Sequence, residues 1–316
     1  MRRRAAPILL GAGLLAGGCF AHNAASKPRV AVVDGDPIVQ MDKPGKMPSL
    51  DHPHYVPVAQ HSDPPFRNER VVGVSLGATG RMYPIGLLDD YEVVNDEAGS
   101  IPYVVARCPM ADLAAVLDRR AAGRTLTFEV SGAIWRDTLV LRDRETGTYW
   151  SPATGAALSG PLAGETLRML PAPLTTAEAW EELMPATVCL ETGELTSVSL
   201  RMKLYASSSW QGASGEKTSD LRFPPKERVF YVAEGGEAVA FTAAQVRERK
   251  SIEVSVDGRP VTVEWDAALR TPRAYTQVVA VRQERPVVPM FWFALLRQFP
   301  TVRTLAPQPA SSSPSP

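Results

Sequence analysis

The chain has 316 residues, of which 45% are hydrophobic and 22% are charged. These proportions are ordinary for a globular protein, and the length is sufficient for one large domain or two of average size. The 34 basic and 34 acidic residues cancel, and no basic stripe crosses the central part of the sequence. The charge pattern therefore argues against a nucleic-acid-binding protein.

Residues 1–19 have the pattern of an export signal. Three arginines precede an apolar segment over residues 5–15 that is too short to span a bilayer. The sequence LLAGGC ends at Cys19 and resembles a bacterial lipoprotein signal, in which that cysteine is lipidated; an ordinary cleaved signal with an incidental cysteine is the alternative. We therefore expect an envelope protein that a lipid anchor at Cys19 attaches to a bacterial membrane on its exported side.

Residues 20–66, rich in proline and histidine, are predicted to form a tether. Within this tether, the segment Arg29–Val39 predicts a short hairpin around Asp34-Gly35. His52 and His54 could bind a metal, but two histidines without further ligands are better explained as solvated residues of a linker. All four histidines precede residue 67, so Cys-His and Ser-His-Asp catalysis are excluded unless the tether folds back. We predict no metal site and no cofactor.

From residue 67 onward, short apolar segments alternate with turn residues, which predicts a β-rich α+β fold with sandwich or barrel-like sheets. Helical patterns are few: residues 84–91, a capping box of Thr175 and Glu178 ahead of 179–184, and residues 241–250 and 288–299. The predicted strands cover residues 69–76, 81–83, 92–94, 102–107, 111–117, 125–130, 133–135, 138–141 and 148–150.

The chain also predicts an internal repeat. The sequence ERVVGVSL at residues 69–76 returns as ERVFYVAE at 227–234, and the Pro-x-x-Val pattern at residues 102–105 returns at the same offset, at 260–263. We therefore predict a first repeat over 67–200, a connection over 201–226 and a shorter second repeat over 227–305. A disordered Pro/Ser tail would follow at 306–316. Cys108 aligns with Asp266 in the second repeat, so thiol chemistry is confined to the first.

Several motifs occur in an order that is similar to one known family. They are VVND at residues 93–96, Cys108-Pro109, VLDR at 116–119, FEVSG at 128–132, DRETGTYW at 143–150 and FWFA at 291–294. Over residues 70–300 the chain resembles the bacterial family called domain of unknown function 3179. This family has no established activity, but its members commonly carry Cys-Pro-Leu-Cys and some are similar to selenoproteins. The resemblance implies thiol or selenol redox chemistry for the family.

This chain departs from the family pattern at two positions. Ala111 stands where members have the second cysteine, and Tyr91 stands where members often have histidine. A two-thiol redox cycle needs a resolving partner, so only Cys189 or an external thiol remains for it. We therefore expect a degenerate, non-catalytic or ligand-binding member of the family. A single-thiol redox enzyme that uses Cys108 and a structural envelope protein are the alternatives.

Cys108 is the candidate centre, and three interpretations of it remain open. It could be a reactive thiol whose pKa is lowered by Arg107 and Arg119, half of a disulfide with Cys189, or an inert buried residue. Polar residues of the family motifs could form a cleft around it, or they could only form turns and ion pairs. These candidates are Asn95, Asp96, Asp118, Arg119 and Asp143.

Overall fold

The computed structural model describes residues 27–58, 67–76, 79–191 and 198–305. The predicted signal with Cys19 and the predicted tail at 306–316 lie outside the described residues. In this part of the chain there are five α-helices: α1 (Ile85–Asp90), α2 (Ala177–Leu183), α3 (Val198–Ser207), α4 (Ala243–Arg249) and α5 (Trp292–Gln298). Among the described residues, none of these helices has the length and apolar character that a bilayer crossing requires.

Strands dominate the described residues, so the β-rich prediction is confirmed. In the first part of the chain they are β1 (Arg29–Val33), β2 (Asp36–Gln40), β3 (His54–Pro57), β4 (Arg70–Ser75), β5 (Gly80–Pro84), β6 (Val93–Ala98), β7 (Ile101–Cys108), β8 (Leu113–Asp118), β9 (Arg120–Ala121), β10 (Arg124–Thr125), β11 (Phe128–Trp135) and β12 (Thr138–Asp143). The remaining strands are β13 (Tyr149–Trp150), β14 (Ala157–Ser159), β15 (Met169–Leu170), β16 (Leu174–Thr176), β17 (Val188–Glu191), β18 (Arg228–Glu234), β19 (Glu237–Phe241), β20 (Ser251–Val256), β21 (Arg259–Asp266), β22 (Thr271–Val278), β23 (Val281–Arg285), β24 (Val288–Phe291) and β25 (Arg303–Thr304).

The two halves of the chain contain the same succession of paired elements. In the first half the hairpin β4–β5 is followed by α1 and the meander β6–β7–β8; in the second, β18–β19 is followed by α4 and β20–β21–β22. In each half a later strand, β16 or β24, pairs antiparallel with the first hairpin strand. The last strand of each half, β17 or β25, pairs parallel with the second hairpin strand. Strand β15 pairs with β8 as β23 pairs with β22, so only β9 to β14 are additional in the first half.

Residues 29–57 are not a tether, and that prediction is wrong for this stretch. The predicted hairpin is present as β1 and β2, and β2 pairs with β11 to extend a six-stranded sheet. Strand β3 pairs with β17 at the edge of another sheet. Burial of Ile38, Val56 and Val58 supplies the driving force, because apolar surface leaves water when these strands dock.

Two predicted helix starts differ from the structure. Thr176, not Thr175, caps α2: its hydroxyl accepts the amide of Ala179 at 3.3 Å, and the Thr175 hydroxyl donates to the carbonyl of Leu269 instead. In the predicted helix over 288–299, the first four residues form β24, and only 292–298 are helical. This run is buried except at positions 296 and 297, and periodicity alone cannot separate strand from helix in a buried apolar run.

The predicted connection at 201–226 is partly helical, because α3 begins at Val198 and continues past residue 201, the predicted start of the connection. This helix packs against α1 and against the single 3-10 turn of Pro109–Ala111 that follows β7. The Tyr205 hydroxyl donates to the carbonyl of Met110 at 2.9 Å. The connection therefore supports the turn that carries Cys108.

Candidate functional site

Cys108 lies where β7 ends and a tight turn leads into β8. Pro109 occupies the first position of the 3-10 turn, where its missing amide hydrogen has no cost. Asp112 closes the turn in the left-handed region at φ 51°, a conformation that aspartate tolerates better than most residues. The local sequence therefore holds the thiol at one defined place beside the strand pair β7–β8.

Asp112 anchors this turn by a group of buried ion pairs. Its carboxylate accepts Arg107 Nη1 at 2.9 Å and Arg228 Nε at 2.5 Å, and Arg70 Nη1 lies at 3.5 Å. Arg107 Nε also donates to Asp89 Oδ1 at 2.9 Å. Burial raises the pKa of the Asp112 carboxyl, but the three guanidinium charges outweigh burial and lower this pKa to about 2. The charge of Arg107 is therefore neutralised by two carboxylates.

The Cys108 thiol is almost completely buried, with 6% of the residue exposed. The amide of Leu139 donates to Sγ across an N···S distance of 3.3 Å. Burial, followed by the nearby carboxyl of Glu92, raises the pKa of the thiol to about 11. The interpretation of Cys108 as a thiol with a lowered pKa is therefore wrong: Arg107 does lower the pKa, but burial and Glu92 outweigh it. Arg107 is neutralised as described above, and Arg119 donates to the carbonyls of Leu126 and Asp96.

A cavity of about 180 Å³ opens beside the thiol. Apolar side chains form most of its wall, and Glu92 contributes a carboxyl group. Burial raises the pKa of Glu92 to about 8, so this group is mostly protonated at neutral pH. Three methionines also line the cavity: Met41 and Met47, which follow β2, and Met110 beside the thiol.

Of the polar candidates, Asp96 lies in a separate cluster. Its carboxylate accepts the hydroxyls of Tyr55, Tyr83 and Tyr103 and a guanidinium hydrogen of Arg81, with Tyr103 at 2.9 Å. Burial raises the pKa of Asp96, but the hydrogen bonds from Arg81 and the tyrosines outweigh it and lower the pKa. This cluster joins β3, β5, β6 and β7.

The other polar candidates have structural partners, which agrees with the interpretation as turns and ion pairs and not with a polar cleft around Cys108. None of the five belongs to the described lining of the Cys108 cavity. The Asn95 amide exchanges hydrogen bonds with the backbone of Phe128 at 2.7 and 2.8 Å. Asp118 pairs with the guanidinium groups of residues 120 and 168, and Asp143 closes its turn and accepts the indole of residue 150.

The two cysteines in the described residues are both free thiols, so the predicted disulfide alternative is wrong. Cys108 belongs to the core cluster that contains Trp150 and Phe293. Cys189 lies in β17 and packs in a different cluster with Val56 and Met82. No local thiol is therefore placed to resolve an oxidised Cys108 among the described residues.

Sequence reasoning missed both Glu92 and the methionines of the cavity. Glu92 directly precedes the VVND motif, so its position beside a buried strand was a usable signal. Met41 and Met47 fell in the supposed tether, and no local pattern connects them to Cys108. The described residues contain no group of three or more His, Cys, Asp or Glu side chains suited to a metal ion. Methionine sulfur can also bind a metal ion, but methionine is not one of these four residue types.

Comparison with known proteins gives one family match. The family model described as "Protein of unknown function (DUF3179)" matches residues 44–301, which is most of the chain and includes both halves of the fold. No curated protein and no solved structure matches.

Proposed function

This chain belongs to the family of proteins of unknown function DUF3179, and we propose that it is a ligand-binding member without thiol catalysis. The observation that carries this proposal is the state of Cys108: its thiol borders a cavity, yet its pKa is raised to about 11. Catalytic and redox-active cysteines depend on the thiolate, and their pKa values are lowered below the ordinary value. A neutral thiol beside a cavity suits binding better than nucleophilic attack.

The surroundings of the thiol support the same conclusion. Cations and helix N-termini are the features that activate cysteines. The guanidinium of Arg107 bonds Asp89 and Asp112, and the ammonium of Lys46 in the cavity lining bonds Asp42. Ala111 occupies the position of the second family cysteine, and its side chain is fully buried. A dithiol cycle would have no second sulfur in this turn.

The cavity itself supports a ligand site. Small-molecule and ion sites are concave, mostly apolar and furnished with a few polar groups. The Cys108 cavity combines a mostly apolar wall with the Cys108 thiol and the Glu92 carboxyl. Asp42 and Asp137 also line it, but they pair with Lys46 and Arg297. The carboxyl of Glu92 has no hydrogen-bond donor among the described residues, so it is available to a ligand. Other buried carboxylates of the turn, such as Asp112, are fully engaged.

We also propose that the protein is lipid-anchored through Cys19 in the bacterial envelope. The proposal rests on the LLAGGC sequence after an apolar segment. Replacement of Cys19 by alanine should release the protein from the membrane fraction. Unchanged sedimentation with membranes would contradict the anchor and would leave the cavity proposal unaffected.

Thiol labelling tests the loss of catalysis. In a Cys19→Ala/Cys189→Ala chain, Cys108 is the only thiol, and its alkylation rate can be followed from pH 6 to 10. A pKa of about 11 instead of about 8.5 gives roughly 300-fold less thiolate at pH 7, so labelling should be slower than that of free cysteine by at least this factor. Labelling faster than free cysteine would contradict the proposal and favour the single-thiol enzyme.

A further inference from the structure

We propose that the Cys108 cavity is a Cu(I) site, in which one copper ion binds the sulfur atoms of Cys108, Met41, Met47 and Met110. This inference rests on the proposed ligand-binding role of the cavity. The four sulfur-bearing side chains come from two stretches that are distant in sequence, the segment after β2 and the turn after β7.

The donor set determines the class of ion. Thiolate and thioether sulfur are soft ligands that select Cu(I), whereas zinc in proteins is bound mainly by cysteine, histidine and carboxylate. The cavity contains one thiol and three thioethers, and the chain has no histidine after residue 61. Of nine methionines in the whole sequence, three line this one cavity. Apolar packing alone does not require sulfur at all three positions.

The charge of the ion also suits the cavity. An isolated charge is poorly tolerated in apolar surroundings, and the carboxylates of Asp42 and Asp137 in the cavity lining already pair with Lys46 and Arg297. Cu(I) binding breaks the S–H bond of Cys108 and forms a Cu–S bond, and the proton leaves to solvent. The product of one monovalent cation and one thiolate is neutral, and no electron is transferred. A divalent ion would leave one uncompensated positive charge.

The fold allows the thioethers to close on an ion. Met41, Met47 and Met110 are each half-buried, and Met47 and Met110 pack against the core cluster that contains Cys108. Methionine has three rotatable side-chain bonds and adapts to irregular spaces. The backbone of the turn is rigid by contrast, because Asp112 and the Tyr205 hydroxyl hold it on both sides of Met110. The thiol is thereby fixed and the thioethers are adjustable.

Competition with a chromophoric Cu(I) chelator, bicinchoninate, tests the proposal under anaerobic conditions. The full chain carrying Cys19→Ala and Cys189→Ala should remove one Cu(I) per molecule from the chelator. Cys108→Ser should weaken binding at least 100-fold, and each of Met41→Leu, Met47→Leu and Met110→Leu should weaken it several-fold. Met169→Leu is the matched control, since Met169 packs against the same core cluster without lining the cavity.

Two further readouts separate the possible outcomes. X-ray absorption at the copper edge should detect only sulfur neighbours, and affinity should rise tenfold per pH unit because one proton is released. Absence of 1:1 binding, or methionine variants that all bind like Met169→Leu, would overturn the copper site. If Cys108 nevertheless labels slowly in the copper-free chain, only this inference fails. Rapid labelling would instead contradict the proposed function. The leucine variants keep the test valid if Cys108→Ser does not fold.

Discussion

Replacement of Asp112 by asparagine tests whether one buried carboxylate holds the Cys108 turn. Asparagine has nearly the same size and, like aspartate, tolerates the left-handed backbone at φ 51°, so the substitution removes charge with little steric change. Arg107 would keep only Asp89, and Arg228 and Arg70 would lose the carboxylate that they share.

The expected loss of stability follows from the pKa of Asp112 and from the burial of its partners. A pKa of about 2 in place of 3.8 corresponds to about 2 kcal/mol at neutral pH, at about 1.4 kcal/mol per pKa unit. Removal of one partner from a buried ion pair usually costs about 3–5 kcal/mol, because a buried charge is left uncompensated. Arg107 keeps a second partner in Asp89, so we expect about 3 kcal/mol.

Urea unfolding at pH 7, followed by tryptophan fluorescence, measures this loss. Because the folded-state pKa is lowered, the stabilisation by Asp112 is complete above pH 4 and is lost as the pH falls towards 2. The unfolding free energies of the unaltered chain and of Asp112→Asn, plotted against pH, should therefore converge near pH 2. Asp118→Asn is the control: its partners Arg120 and Arg168 are about half exposed, and solvent should limit the loss to under about 1 kcal/mol. A loss for Asp112→Asn no larger than this control would refute the reasoning.

Three further substitutions have definite expected outcomes. The pKa of Glu92 is raised to about 8, so the unfolded chain releases this proton at a lower pH than the folded chain does, and stability falls between pH 4.5 and 8. Glu92→Gln should flatten this fall, which unfolding midpoints measured from pH 5 to 9 would show. Asp96→Asn should lower the free energy of unfolding at pH 7 by about 3 kcal/mol, because buried Asp96 pairs with Arg81; an unchanged urea midpoint would contradict this. Gly73→Ala should lower the melting temperature by several degrees, because an added Cβ would lie 2.3 Å from the Trp180 ring; an unchanged thermal scan would contradict the close packing.

The strands and the second-half helix could be predicted because their signals are local. The alternation in residues 69–76 corresponds to β4, and α4 begins with a capping box formed by Thr242 and Gln245. The duplicated ERV sequence likewise marks β4 and β18, which occupy the same place in the two halves. Each of these signals depends on neighbouring residues or on direct sequence similarity.

The convergence of polar residues on Cys108 could not be predicted correctly from motif membership. Asn95 and Asp96 are adjacent in β6, and adjacent strand residues point to opposite faces of a sheet, so both could not face the same thiol. Strand alternation alone would have excluded that part of the prediction. The pairing of β2 with β11 is a different case, because no sequence pattern links strands that are more than eighty residues apart. This pairing brings Met41 near the cavity.

The two halves differ at the turn that follows their corresponding strands β7 and β21. At a constant offset of 158 residues, Arg70 corresponds to Arg228 and Asp112 corresponds to Arg270. Asp112 and Arg270 both adopt the left-handed conformation, at φ 51° and 54°. The backbone of the turn is therefore equivalent, although the charge at this position is reversed.

This reversal of charge explains why the second half does not repeat the Cys108 site. Arg70 and Arg228 both bond the single carboxylate of Asp112, whereas Arg270 pairs with Glu178. The position of Cys108 in the second half is Asp266, whose carboxylate accepts the amides at 268 and 269 and bonds Arg273. The second turn thus has no thiol and no buried acid to anchor it. A ligand that needs the Cys108 sulfur should bind with a stoichiometry of one per chain, and a measured value of two would contradict this assignment of the site.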